Sequence, residues 1–204
     1  MKGNMADIGC GSKPYRSFFK NVENYSGYDM ANEGHSHTGE HIDVLFDGKT
    51  IPAPASSYQS VISSEVLEHV FWPAQWLDEI NRILQTGGSF LLTCPFMFHE
   101  HEVPNDYGRY SSYGLKYLLE QHGFEITVQR KAAAGLQCVV LQWNVLWWKA
   151  FDKILPRPIA FLLSWFFFFP ANIVGLLFGW LWKDSHSFYA GNMVVCKKIS
   201  QVNR

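Results

Sequence analysis

The chain opens on a short apolar stretch, Met5-Ala6-Asp7-Ile8, that breaks at once into Gly9-Cys10-Gly11. Two glycines within three residues, directly behind a strand, let the backbone turn sharply and approach a ligand without a Cβ in the way. Alternation follows. Strands are predicted over Tyr25–Met30, His41–Phe46, Ser60–Ser64, Ser89–Cys94, Phe124–Lys131 and Phe188–Lys197, with helices over Ser17–Val22, Pro73–Leu84 and Ser112–His122. In the second helix Trp76, Leu77, Ile80, Ile83 and Leu84 share one face, and Gly87-Gly88 is expected to stop it. Strands alternating with helices imply an α/β fold, a parallel sheet covered on both faces. Ligands of such sheets bind beyond the carboxyl ends of the strands, where the strand order switches.

Composition narrows the function. Lys plus Arg number 17 against 18 Asp plus Glu, a net charge of -1, so there is no basic field for nucleic acid. With 48% hydrophobic and 17% charged residues the chain is not disordered. Cys10, Cys94, Cys138 and Cys196 are far apart and form no CxxC pair, which suggests neither a disulfide framework nor a zinc knuckle and fits a reducing cytosol. The first apolar run reads as a strand and not as a signal peptide.

Asp29 ends the second strand, twenty residues after Gly9. A carboxylate there can accept two hydrogen bonds from a ribose diol, or be a solvated loop residue. The third glycine of a GxGxxG fingerprint would fall on Pro14, which argues against a pyrophosphate ligand and suits a nucleoside without phosphates.

DIGCGSKPY at 7–15, the Asp29 strand end, SEVLEHV at 64–70 and EINRILQTGG at 79–88 stand in an order that resembles the class I S-adenosylmethionine-dependent methyltransferases, and among them the type 11 domains. The resemblance covers about residues 4–131 and resumes at 187–198. It implies a Rossmann-like, doubly wound, mostly parallel seven-stranded sheet, S-adenosylmethionine as cofactor, and roles for individual residues. Asp7, Gly9 and Gly11 match the loop that wraps the methionine part. Asp29 matches the acid that holds the ribose hydroxyls, and Asp47 the acid near the adenine amino group. Ser64 and Glu65 match the lining of the sulfonium end. Carboxylates near a sulfonium and an ammonium offset positive charge. Two departures stand out. The first strand begins almost at Met1, so the helix and lid that often precede it are expected to be missing. Gln59 stands where relatives commonly carry an aspartate.

On the acceptor side, His69 in LEHV is a candidate general base or a structural histidine closing a turn. His99-Glu100-His101-Glu102 follow the fifth strand; His99 and His101 are further candidate bases. HEHE lacks a metal-ligand spacing on one face, so no metal is expected. Asp106, Tyr107 and Arg109, in the stretch 104–110, resemble a segment of many relatives. Arg109 could bind a carboxylate or phosphate of the substrate, or pair with Asp106 and brace the loop.

Between strands six and seven lies an insertion of about residues 132–186. Its segment 158–182 has no charged residue: 25 positions, about 37 Å as a helix. Trp-Phe-Phe-Phe-Phe at 165–169 puts aromatic groups on every face, which a 204-residue protein has no room to bury. A membrane anchor is the expectation, with a buried helical lid or dimer core as the alternative. Strand seven must return to the side of strands one to six, so the insertion must cross twice, dip in and return, or lie flat. A helical hairpin or a re-entrant turn at Pro170 and Asn172 is the expected form. Lys149, Lys153, Arg157 and Lys183 flank it as on a cytosolic surface. The chain thus reads as residues 1–131 plus 187–204, a methyltransferase domain, and 132–186, an anchor. The expected activity is methyl transfer at the cytoplasmic face of a membrane, onto an amphiphilic or lipid-linked small molecule. A non-catalytic membrane scaffold is the alternative, and the oligomeric state is left open.

Overall fold

A computed structural model describes residues 1–30, 41–179 and 187–200. In chain order it contains β1 (Gly3–Ile8), β2 (Val22–Met30), β3 (Val44–Phe46), β4 (Tyr58–Ser64), α1 (Pro73–Ile83), β5 (Leu84–Pro95), α2 (Ser112–Gln121), β6 (Phe124–Ala134), α3 (Leu136–Ile154), α4 (Arg157–Phe178) and β7 (Tyr189–Lys198). The strands form one seven-stranded sheet in the order β3-β2-β1-β4-β5-β7-β6. The neighbours from β3 to β5 pair in parallel. β7 runs against both its neighbours. Phe96 N–H donates to Ala190 O, while Cys196 Sγ lies 3.5 Å from Phe90 O. Gly135 N–H donates to Phe188 O, while Ile199 N–H donates to Gly123 O. The strand order reverses between β1 and β4, so a ligand crevice is expected at their carboxyl ends.

The chain divides into two units: Met1–Pro95 with His99–Arg130 and Asn192–Arg204, and Phe96–Phe98 with Lys131–Gly191. In the first, α1 buries Trp76, Leu77, Ile80 and Ile83, together with Leu84, Phe90 and Leu92 of β5. Each such side chain contributes roughly 1.5–3 kcal/mol. The helix does not reach the glycines. It ends at Ile83, and Leu84 is already extended with φ -81 and ψ 138. The buried ammonium of Lys198 donates to Asn81 O and Leu84 O, at 2.6 and 2.8 Å, and so caps the end of the helix. Gly87 and Gly88 instead fall in a bulge of β5, where the pairing with β4 jumps from Leu84 to Ser89. The helix expected over Ser17–Val22 shrinks to a 3₁₀ turn, Arg16–Phe18, because Val22 already belongs to β2. Gln59 ties β4 to β1 by accepting from Asn4 N–H at 2.7 Å.

In the second unit α3 and α4 form an antiparallel hairpin. Asn144 donates to Asn172 at 2.9 Å, and the rings of Trp147 and Phe151 meet Phe167 at 5.7 and 5.5 Å. Gly175 lets Val140 approach: a Cβ there would stand 3.2 Å from Val140 Cγ2. The re-entrant turn at Pro170 is not formed. α4 runs through Pro170 for 22 residues, since a helix tolerates the loss of one N–H when its packed face continues past it. Asn172 serves that face. Among the described helices α4 alone is long and apolar enough to cross a membrane, and only 11% of its most apolar stretch is buried. Phe161, Leu162, Trp165, Phe166, Phe169, Leu176 and Leu177 are exposed along it. Lys149, Lys153 and Arg157 all lie toward the end where α3 joins α4. Lys183 lies outside the described residues.

Candidate active site

Four carboxyl ends of parallel strands shape the site. After β1 the chain turns at Gly9, whose φ is +77 and whose absent Cβ would stand 2.2 Å from Val66 Cγ2. Only glycine fits there. Gly9 and Cys10 both donate to Tyr28 O, and Gly11 N–H donates to Asp29 Oδ2 at 2.8 Å. The first turn is thereby tied to the end of β2. Asp29 Oδ1 accepts from its neighbour Met30 N–H. Each oxygen keeps a further lone pair for a ligand hydroxyl.

Two lobes meet at Asp29. One, of about 280 Å³, is apolar and aromatic, with Phe46, Phe71, Trp72 and Tyr107 in its lining and Asp47 at its edge. The other, of about 350 Å³, is lined by Asp7, Gly9, Gly11, Ser64, Glu65 and Glu102, among others. Gly9, Asp29, Met30, Val66 and His69 line both. Every residue expected to bind the cofactor therefore borders this cleft. Their local duties differ. Asp7 is buried and accepts from the hydroxyl of Tyr25. Burial raises its pKa to about 6. Asp47 accepts from Lys49 and Thr50 N–H, which holds its turn and its pKa below the usual value. Ser64 shares a hydrogen bond with Thr93 at 2.8 Å. Glu65 has φ +55, a left-handed backbone uncommon outside glycine and often found at sites.

The candidate bases separate. His69 lines both lobes, whereas His99 and His101 line neither. His69 Nδ1 lies 2.7 Å from Asn105 O. A carbonyl only accepts, so Nδ1 carries the proton and Nε2 holds the basic lone pair. The 3₁₀ turn Leu67–His69 behind β4 therefore serves both readings of His69, closing the turn and presenting a base. Asp106 and Arg109 pair with each other. Neither lines either lobe, and the pair braces its loop, while Tyr107 lines the aromatic lobe.

Sequence reasoning missed Glu68. It has no exposed surface, and neither carboxylate oxygen accepts a hydrogen bond from another described residue. Burial lifts its pKa to about 8. His69 and His101 stand over it, their rings 4.9 Å apart, edge to face. His101 therefore packs against the turn after β4. The strand-five loop folds back onto the turn after β4, which spacing along the chain does not reveal.

The methyltransferase domain family matches residues 6–92. No curated protein sequence matches significantly. Among solved structures, the methyltransferase bound to the Trm112 methyltransferase activator of Haloferax volcanii is 15% identical with a TM-score of 0.59, over 100% of this chain and 86% of that one. A Bacillus halodurans protein described as a methyltransferase is 14% identical with a TM-score of 0.58, over 98% and 95%. Phosphoethanolamine N-methyltransferase 2 of Haemonchus contortus, solved with S-adenosyl-L-methionine, is 18% identical with a TM-score of 0.59, over 98% of this chain and 50% of that one. At these identities the structures speak for the fold. With the domain match over residues 6–92, from β1 into β5, the chain carries the fold of the class I S-adenosylmethionine-dependent methyltransferases.

Proposed function

We propose that the chain transfers a methyl group from S-adenosylmethionine to a small acceptor, and that it does so at a membrane. The junction of the two lobes at Asp29 carries the first part. Adenine suits the aromatic lobe, with Asp47 near its amino group. The ribose diol suits Asp29, where a charged acceptor strengthens two hydrogen bonds. The amino-acid end suits the lobe of Asp7 and Glu65, whose carboxylates offset its ammonium. His69, on both lobes, stands where acceptor and sulfonium would meet. In the reaction the acceptor's lone pair forms a bond to the methyl carbon as the carbon–sulfur bond breaks. The electron pair stays on sulfur, leaving S-adenosylhomocysteine. An acceptor hydroxyl gives its proton to His69 Nε2.

Membrane contact rests on the exposed apolar length of α4. The charges of Lys149, Lys153 and Arg157 at the joined end of the hairpin oppose a tip-first crossing from the cytosol. They suit a pair lying in the interface, apolar side down and basic groups among headgroups. An amphiphilic or lipid-linked acceptor follows from that placement. The test is to incubate purified protein with methyl-labelled S-adenosylmethionine and a lipid extract of the source organism. A labelled, solvent-extractable product is expected. Cofactor binding with no labelled product in lipid or aqueous fractions would leave a scaffold and overturn the reading.

A further inference from the structure

We propose that Glu68, His69 and His101, with Glu102 as a fourth donor, form a binding site for a divalent transition-metal ion of the zinc type at the rim of the cleft. The ligand atoms of the first three lie within 4.8 Å of one another. Glu68 is the anchor. A wholly buried carboxylate that accepts no hydrogen bond from another described residue is a costly thing for a fold to hold, unless a cation or proton comes to it.

Both imidazoles are oriented as ligands are. His69 is held at Nδ1 by Asn105 O, and its Nε2 lies 3.8 Å from Glu68 Oε1 and 3.7 Å from Glu102 Oε2. His101 Nδ1 faces His99 O at 3.2 Å and Asp106 Oδ2 at 3.4 Å, both acceptors. Its Nε2 lies 3.8 Å from the same Glu68 oxygen. Carbonyl and carboxylate partners at one ring nitrogen, with the other turned to the ion, are the usual outer support of a metal-bound histidine. Glu102 holds a left-handed φ of +51, a strained conformation for a glutamate.

Glu68 stands nearer to ligand spacing than to hydrogen-bond spacing from either ring. Donors around tetrahedral zinc stand about 3.3 Å apart, given bonds of about 2.0–2.1 Å. Each Glu68–imidazole distance of 3.8 Å needs to close by about half an ångström, and the two imidazole nitrogens, within 4.8 Å of each other, by at most about 1.5 Å. A hydrogen bond from protonated Glu68 to either ring needs about 2.8 Å, twice the movement. Two imidazoles with one or two carboxylates select zinc, cobalt or iron over magnesium or calcium. With the ion bound, His69 Nε2 is a ligand and no longer a base, and the ion would instead acidify an acceptor hydroxyl whose proton passes to solvent; that role rests on the methyl-transfer reading, the site itself does not.

The test uses the full-length protein in detergent, stripped with chelator and titrated with Co²⁺. We expect visible d–d bands that saturate at one equivalent and are abolished by Zn²⁺. Glu68→Gln and His101→Ala should each weaken Co²⁺ by at least about tenfold, while S-adenosylhomocysteine affinity, measured on the same samples, stays within about threefold. Should Glu68→Gln misfold, His101→Ala with Glu102→Ala decides. A folded wild type that gives no bands, or variants that bind Co²⁺ as the wild type does, would overturn the site. Failure of S-adenosylhomocysteine to bind wild type that does bind Co²⁺ would overturn the cofactor reading alone.

Discussion

Arg109 faces Asp106 with both terminal nitrogens, Nη1 2.5 Å from Oδ1 and Nη2 2.6 Å from Oδ2, and its Nη2 also reaches His99 O at 3.0 Å. The guanidinium holds the Asp106 carboxyl down to about pKa 2. Asp106 Oδ2 in turn accepts from His101 N–H at 3.0 Å. One side chain thus organises the loop between β5 and α2. Arg109→Lys replaces a planar two-pronged donor with a point charge. Stability should fall by about 1–3 kcal/mol. Cofactor affinity should stay unchanged, because Arg109 lines neither lobe. Urea unfolding and calorimetry measure the two. A variant of wild-type stability that lost only acceptor binding would restore the substrate-clamp role.

Asp7 supplies a pH signature. Its folded pKa of about 6, raised by burial, exceeds the unfolded value near 3.9. The fold therefore favours the neutral acid. That stabilisation is complete below about pH 3.9, falls as pH rises, and is gone above about 6. Asp7→Asn keeps an acceptor for Tyr25 and never ionises. It should be more stable than wild type at pH 7.5, by up to about 3 kcal/mol, with the gap narrowing as pH falls from 6 to 4. Urea midpoints at pH 7.5 and 5 check this; a gap independent of pH would mean that Asp7 titrates normally. Because a cationic ligand end in this lobe favours the carboxylate, S-adenosylmethionine should bind wild type more tightly at pH 7.5 than at pH 5.

The hairpin can be removed where β6 and β7 already touch. Gly135 N–H donates to Phe188 O at 2.7 Å, so a short Gly-Ser turn replacing residues 136–184 spans the gap. The product should stay soluble without detergent and bind S-adenosylmethionine. The parent should sediment with membranes and resist high-salt washing, which strips attachments made by Lys149, Lys153 and Arg157 alone. A parent soluble from the start, or a deletion product that aggregates, would support a lid over an anchor.

The strands and much of the lining of the cleft were legible because they are local. Asp7, Gly9 and Gly11 follow one strand, Asp29 ends the next, and Ser64 and Glu65 end β4, so chain order places each of them at the cleft. The Pro73 helix was legible from its apolar face, but its end was not, because Lys198 caps it from 117 residues away. The cluster around Glu68 was hidden for the same reason. His101 meets Glu68 and His69 through a loop that folds back, and neighbours in HEHE carry no trace of that contact. Pro170 misled because the contacts that carry the helix past it, made by Phe167, Asn172 and Gly175, are with α3, in another segment.

The most direct measurement of the central claim is calorimetric titration of S-adenosylmethionine into wild type, Asp29→Asn and Asp29→Ala. Wild type should bind one equivalent. Asp29→Ala loses two charge-assisted hydrogen bonds to the ribose, so affinity should fall at least about tenfold with circular dichroism unchanged. Asp29→Asn, which still accepts from Gly11 N–H, should fall between the two. Equal affinity in all three folded proteins, or NADH bound more tightly than S-adenosylhomocysteine, would contradict the account.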